Sequence, residues 1–307
     1  MPTYNSIISR TDADSLIPVE EANAVIKAAT QESAALTLFN RAQLSTKLTR
    51  QPVLSALPIA YFVSGDTGLK QTTEAAWAGV DLVAEEIACI VPIPEAVVDD
   101  ASFDVWGEIR PALAEAVAQV LDAAVFGGIN KPASWPAAIE PAAIAVGNTA
   151  EVGTSTPAQG GIVGDVGTAF DKVEADGFQV SGVAAVAAMK GLLRKARDAN
   201  GQRLIEPGSP TIEGVPLSYL LPGTVGATTR AIVGDFSLAI VGIRQDITYK
   251  LLDQAVLSDA AGVVIFNLAQ QDMVALRVVA RYAYATAVPA TRTGGSGFPF
   301  AVLADAA

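Results

Sequence analysis

Two periods of apolar residues organise this chain. In MVALRVVARYAYATAVP (273–289) the apolar positions alternate. Val274, Leu276, Val278, Ala280, Tyr282 and Tyr284 fall on one side of an extended chain, with Arg277 and Arg281 on the other. That spacing predicts a strand with one buried face. In SFDVWGEIRPALAEAVAQVLDAAVFG (102–127), Val105, Ile109, Leu113, Val117, Val120, Leu121 and Ala124 recur at helical spacing. Ser102 is placed to cap this helix and Gly127 to end it. At 1.5 Å per residue it would run roughly 35 Å. Pro111 predicts a kink, or two abutting helices.

Residues 54–65 and 75–93 read as two long strands around a turn at 66–74, with Ile87, Cys89 and Val91 on one face of the second and Leu82 extending the apolar content upstream. A lone hairpin is marginal in water, and no local element is available to cover this one. A neighbouring subunit is the economical cover. Residues 1 to about 45 read as an arm with a helix over 18–42. Pro18 and Glu20-Glu21 suit its start, while Val25, Ile26, Leu36 and Leu38 form a patchy stripe that needs a partner. Residues 128–161, rich in Pro and Gly, read as loops and short strands. Residues 165–177 predict a helix ending at Gly177 with Val166, Phe170 and Val173 inward, 178–186 a strand, and 187–201 a helix with an Asn200-Gly201 left-handed cap. FPFAVLA (298–304) supplies a last strand. There is no βαβ rhythm and no internal repeat, so the fold class is α+β.

Composition sharpens the subunit argument. Apolar residues make up 51% of the 307 and charged residues only 17%, against about 25% in a typical soluble domain. Few charges are left to cover an isolated monomer. The longest uncharged run, 214–229, is broken by Pro216, Pro222 and Gly223, so no membrane span is expected. The first residues lack the layout of a signal peptide, which reads as a cytosolic product. A net charge of −12 argues against a surface that grips nucleic acid by counterion release. Cys89 is the single cysteine and there is no histidine. Intrachain disulfides, Ser-His-Asp triads, Cys-His dyads and His-containing zinc sites are thereby excluded, and no cofactor or metal is expected.

Each chemical motif has a structural reading that fits better. GGIVGDVG (160–167) lacks both the Walker and the GxGxxG spacing and reads as a loop. Lys190, Arg194, Lys195 and Arg197 place positive charge at a helix C-terminus. Glu85 and Glu86 point to opposite faces of a strand, so they make a poor catalytic pair. Asp99-Asp100 suits the N-terminal dipole of the long helix. Asp235, in VGDFSLAIVGI, reads as a turn residue capping its own backbone.

Several segments, in order, resemble the major capsid proteins of tailed bacteriophages with the HK97-type fold. They are VPIPEAVVDDASFDVWGEIRPALAEAVAQVLDAAVFGG, GVAAVAAMKGLLRKARDANGQRLI, IEGVPLSYL, IVGDFSLAIVGIRQDITYKLL and LRVVARYAYATAVPA. The resemblance covers the chain from about residue 15 to its end. It implies an N-terminal arm (1–48), an extended E-loop hairpin lying across a neighbour (49–92), a P domain with the long spine helix (93–154), an A domain (155–265) and returning P-domain strands (266–307). It implies a structural protein, not an enzyme, that assembles into pentamers and hexamers of an icosahedral shell around double-stranded DNA. Assembly would take place in the bacterial host cytoplasm, with a portal and, where needed, separate scaffolding and decoration proteins as partners. Lys70, Trp77, Arg194, Arg197, Arg277 and Arg281 are the candidate intersubunit contacts. The founding member joins subunits by a Lys–Asn isopeptide bond assisted by a Glu. Here Lys70 resembles the donor, but Asp272 and Val279 occupy the acceptor and Glu positions, so that cross-link is not expected. The arm pattern begins almost at Met1, which implies a separate scaffold or none. Two rivals remain: an encapsulin-like shell with protein cargo, and a soluble enzyme using the 160–167 loop.

Overall fold

The computed structural model describes residues 32–306 apart from 61, 63–69, 71, 102–103, 207, 260 and 293–296. The helix expected over 18–42 lies mostly outside the described residues, as do Ser102 and most of the expected hairpin turn. The described elements begin with α1 (Ala34–Leu38), β1 (Asn40–Gln43), β2 (Leu48–Ala56), β3 (Ala76–Val83), β4 (Glu85–Pro94), α2 (Glu95–Asp100), α3 (Val105–Asp122), α4 (Ile139–Val146) and β5 (Thr149–Val152). They continue with α5 (Ile162–Ala175), β6 (Gly182–Ala185), α6 (Met189–Lys195), β7 (Thr211–Ile212), β8 (Val215–Tyr219), β9 (Thr229–Gly234), β10 (Ala239–Leu252), β11 (Val256–Ser258), β12 (Val264–Asn267), β13 (Met273–Thr286) and β14 (Phe300–Asp305). Helices and sheets both occur without a repeating order, as the α+β expectation requires.

Two larger sheets share one core. The first has the order β1-β10-β13-β4 and the second β5-β14-β9-β6-β8-β7. On β13 the alternation falls where expected: Leu276, Val278, Ala280, Tyr282 and Tyr284 are buried in the central core, against Ile87, Cys89 and Val91 of β4. The second sheet is buried on both faces. Ala184, Ile232, Phe300 and Val302 face the central core, while Val183, Ala231, Val233, Ala301 and Leu303 face α5 through Val166, Ala169 and Val173. A cluster of rings fastens the centre: Phe39 lies 5.2 Å from Phe126 and 5.8 Å from Phe236, which lies 5.2 Å from Phe300. Ring pairs at such distances add about 0.5–1.5 kcal/mol each beyond their area.

The long helix is continuous across Pro111 as α3, without a break into two helices. Its irregularity comes at the other end, where 123–127 continue as a π-turn and Gly128, at φ 73°, supplies the left-handed cap expected of Gly127. Leu113, Val117, Leu121 and Ala124 are buried, but Val120 is half exposed. Asp122 is wholly buried and holds the start of α1, accepting from Ser33 Oγ (2.6 Å) and the Ala34 and Ala35 amides (2.9 and 3.1 Å). Burial raises its carboxyl above the usual range, and those three donors oppose the rise.

Other elements differ from expectation for local reasons. The first hairpin strand lies at Leu48–Ala56 instead of 54–65, and Pro58 falls just past its end. The second expected strand divides at buried Ala84, whose N–H donates to the Lys47 carbonyl (2.8 Å); β3 pairs with β2, and β4 with β13. Residues 139–146 form α4, which tolerates Pro141 because it sits in the first turn. The strand at 178–186 shortens to Gly182–Ala185. The helix at 187–201 stops at Lys195, so Asn200-Gly201 is a turn tied by Asp198, which accepts from the Asn200 and Gln202 amides. Asp99 and Asp100 end α2 and do not open α3. Strand membership also departs from the expected blocks: β10, at 239–252, pairs in the first sheet, while the terminal β14 inserts between β5 and β9 of the second.

Candidate assembly surfaces

The β2–β3 hairpin pairs over eight positions, from Leu48↔Val83 to Ala56↔Ala76. Only its root is buried: Leu82 and Ala84 pack with Leu44, Ile240, Ala283 and Ala285 on the outer side of the first sheet. Leu48 at the root and, beyond it, Ile59, Phe62 and Trp77 are exposed. The hairpin keeps its register through Arg50, which binds Asp81 opposite it with both Nε (2.6 Å) and Nη2 (2.9 Å). That pair holds the Asp81 carboxyl below its usual range, but it is too exposed to stabilise the fold much. Two further bonds tie the hairpin down: Ala290 N–H to the Leu54 carbonyl (3.0 Å) and Arg292 to the Pro58 carbonyl (3.2 Å). An ordered hairpin with uncovered apolar side chains is a surface awaiting a partner.

A second uncovered surface is the small β11–β12 hairpin between β10 and β13, where Val256, Val263, Val264 and Ile265 are all exposed. A third is the outer face of the first sheet below the hairpin root. There Ala88 and Ile90 of β4, Arg277 and Val279 of β13 and Lys250 of β10 lie together, with Arg277 opposite both Ile90 and Lys250. Higher on this face Arg281 binds Glu86 (2.7 Å).

The six sequence-named contact residues occupy three places. Lys70 and Trp77 belong to the hairpin, both exposed. Arg277 and Arg281 share the outer face of β13, as predicted. Arg194 and Arg197 lie away from both, at the end of α6, where Arg197 caps the helix by donating to the carbonyls of Arg194 (3.0 Å) and Ala196 (2.8 Å). Lys190 sits over the Tyr219 ring at 4.0 Å.

The rejected chemical readings also find their explanations. Asp235 caps a single helical turn, accepting from the Ser237 amide (3.1 Å) and hydroxyl (2.5 Å). Glu85 accepts from Ser134 (2.7 Å) while Glu86 binds Arg281, one partner on each side of the strand. The 160–167 stretch is not the expected loop: from Ile162 on it is the start of α5, and the anion there is supplied by the chain itself. Buried Asp165 accepts from the Gly153 and Ser155 amides (2.7 Å each) and from Thr154 Oγ1 (2.9 Å). Burial alone would raise this carboxyl, but those donors outweigh it and hold it below its usual range. No group of three metal-ligating side chains occurs among the described residues, and no helix there is long and apolar enough to cross a membrane.

Sequence reasoning missed the buried carboxylates that fasten segments: Asp122, Asp165, and Glu140, which accepts from the Gly226 amide and Thr229. The available signal was an acid inside an apolar run, as in VLDAAVFG.

Comparison with known proteins bears on these surfaces. The model of the phage capsid family matches residues 13–291. The major capsid protein of Staphylococcus phage 80alpha is 28% identical over 227 residues, 72% of this chain and 66% of that protein, so the match spans just under two thirds of the relative. A structure from Microbacterium phage Oxtober96 is 38% identical with a TM-score of 0.85, covering 98% of this chain and 100% of its own. One from Mycobacterium phage Cain is 35% identical with a TM-score of 0.86, covering 98% and 99%. The capsid of a native GTA particle, 16% identical with a TM-score of 0.65 over 99% of this chain and 100% of its own, shares the fold.

Proposed function

The chain belongs to the phage capsid family, and from that premise we propose how it works. It is the major capsid protein, a structural subunit of an HK97-type phage head, and it acts by packing rather than by turnover. The observation that carries this reading is the β2–β3 hairpin. It is fixed in register by Arg50 and Asp81 and rooted on the first sheet, yet it leaves Leu48, Ile59, Phe62 and Trp77 uncovered. In a closed lattice each hairpin lies across a neighbour and buries those side chains, each contact modest and the lattice sum large.

The shell consists of pentamers and hexamers around double-stranded DNA, assembled in the host cytoplasm with a portal and, where needed, scaffolding and decoration proteins. The β2–β3 hairpin is the E-loop, β13 and α3 are the heart of the P domain, and the α5-covered sheet is the A domain. An encapsulin-like shell would share the fold, but the solved relatives at 35–38% identity come from phages.

Negative-stain microscopy of the chain expressed alone and with the neighbouring head genes tests this. Closed shells, tubes or hexamer sheets are expected. Small soluble species under both conditions would overturn the reading.

A further inference from the structure

Five of the chain's 20 bases, but only one of its 32 acids, fall within residues 190–203. Lys190 and Arg194 stand one turn apart on α6, both exposed, and Lys195 is exposed beside them. The chain then reverses in a small hairpin. The Asp198 N–H donates to the Gln202 carbonyl (2.9 Å) and the Gly201 N–H to the Asp198 carbonyl (3.1 Å). The Asp198 carboxylate accepts from the Asn200 and Gln202 amides (2.9 and 2.7 Å). This turn sets Arg197 opposite Arg203 as an antiparallel pair, with Cβ atoms about 5 Å apart. Like charges so placed repel, and the one acid of the segment is turned in to backbone amides.

The subunit itself uses only part of this charge. Arg197 caps α6 through Nη1 alone, so its Nε–Nη2 edge is open. Lys190 lies over the Tyr219 ring. Arg194, Lys195 and Arg203 make no side-chain hydrogen bond or ion pair among the described residues, whereas Arg50, Arg230 and Arg281 each hold a carboxylate. A partner for such a segment must carry repeated negative charge. Protein surfaces interleave both signs, as Arg50 and Asp81 do on this chain. Duplex DNA presents one negative charge per about 1.7 Å of its axis and no cation among them, and guanidinium forks match phosphate oxygens. The net charge of −12 argues against adhesion over the whole surface, but not at this segment.

We infer that residues 190–203 are a contact for the phosphate backbone of duplex DNA. Arg194, Lys195 and Arg203, with the open edge of Arg197, neutralise phosphates and position the duplex without reading its sequence. A phosphate between Arg197 and Arg203 turns their repulsion into two attractions. The inference rests on the reading of the chain as a shell subunit, which supplies the DNA, and it names where on the subunit that DNA is touched.

Fluorescence anisotropy of a short labelled duplex of random sequence, with full-length subunits held below the assembly threshold, reads the binding. Affinity is expected to fall about fortyfold between about 50 and about 200 mM salt, as roughly three neutralised phosphates require. Arg194→Ala and Arg203→Ala should each weaken binding several-fold and reduce the salt slope by about one. Lys172→Ala removes the same charge from the exposed C-terminal end of α5 and should change neither. Arg203→Ala also relieves the repulsion with Arg197, so its melting temperature should be no lower than the parent's. A duplex that does not bind, or that Lys172→Ala weakens as much as Arg203→Ala does, would overturn the inference. So would binding of poly-glutamate in place of the duplex, which would assign the segment to an acidic protein. In DNA-filled heads formaldehyde should join Lys190 or Lys195 to DNA, and adducts confined to other lysines would likewise overturn it. Shell formation is read separately by microscopy. Shells built from subunits that bind no duplex would overturn this inference alone, whereas a chain that forms no shells with its head genes overturns the functional reading whatever its subunits bind.

Discussion

Replacing Trp77 with Ala separates the subunit from the shell. In the isolated chain Trp77 is 69% exposed on β3, opposite Leu54. Its removal takes little from the subunit's own packing, and a change within about 0.5 kcal/mol is expected for such surface sites. In the shell the same side chain should be covered. An indole offers about 200 Å², and the uncovered 69% amounts to roughly 140 Å². At about 25 cal/mol per Å² this is worth ~3 kcal/mol per contact. Every 1.4 kcal/mol is a factor of ten, so the subunit concentration needed for assembly should rise about a hundredfold. Light scattering against subunit concentration reads the assembly threshold, and urea unfolding of unassembled subunits followed by circular dichroism reads the fold. An unmoved threshold would remove Trp77 from the subunit contact. A loss of ~3 kcal/mol in subunit stability would assign it to the fold instead.

Three further outcomes follow from the interior and from the cross-link positions. Asp165→Ala removes the charge-assisted bonds from the Gly153 and Ser155 amides and should cost the subunit about 2–3 kcal/mol at pH 7. Because the folded carboxyl lies below its usual value, its contribution is complete above the unfolded value near ~4 and is lost as pH falls through the lower folded value; urea midpoints at pH 7 and pH 3.5 should show the gap between parent and variant narrowing, and a constant gap would contradict the assignment. Gly234→Ala puts a methyl group against the Pro299 carbonyl and within 2.9 Å of the Phe300 Cα, where β9 meets β14. Backbone cannot yield there as a side chain would, so a loss of about 3 kcal/mol or more is expected, and a melting temperature equal to the parent's would refute it. Parent shells boiled in SDS should run as one band near 31.5 kDa, since Asp272 and Val279 stand where the cross-link needs Asn and Glu; a ladder would show covalent joining.

What the sequence made legible was one-sided burial within long elements. The β13 alternation and the α5 stripe of Val166, Phe170 and Val173 were read correctly because each lies on a single face against a single core. Errors cluster where one stretch serves two partners. Residues 75–93 look like one strand, but the pairing partner changes at Ala84, and nothing in local alternation marks that switch. The first hairpin strand is expected at 54–65 and lies at Leu48–Ala56, where its alternation leaves one face exposed and the other only half-buried; an element that buries itself on another molecule carries a weak signal within its own chain. Asp122, Asp165 and Glu140 were missed for the opposite reason. Their partners are backbone amides and hydroxyls, and for Asp122 and Glu140 those partners lie 86 to 89 residues away, so no sequence spacing records them.

The distribution of charge follows from a division of labour within the subunit. Interior carboxylates are spent on internal fastening, each surrounded by amides and hydroxyls of its own chain. On the outer sheet face Arg281 has Glu86, but Arg277 Nε has no such partner among the described residues. A net charge of −12 keeps unassembled subunits apart at long range, where an acidic surface repels its copies. Repulsion over a Debye length of about 8 Å does not reach into a seated contact, where paired ions and buried apolar side chains act over a few ångströms. A subunit of this kind stays soluble until a neighbour is correctly placed. Raising salt should therefore weaken the long-range repulsion and lower the subunit concentration needed for assembly, while leaving the apolar contribution of Trp77 intact; a threshold that rises with salt would contradict this account.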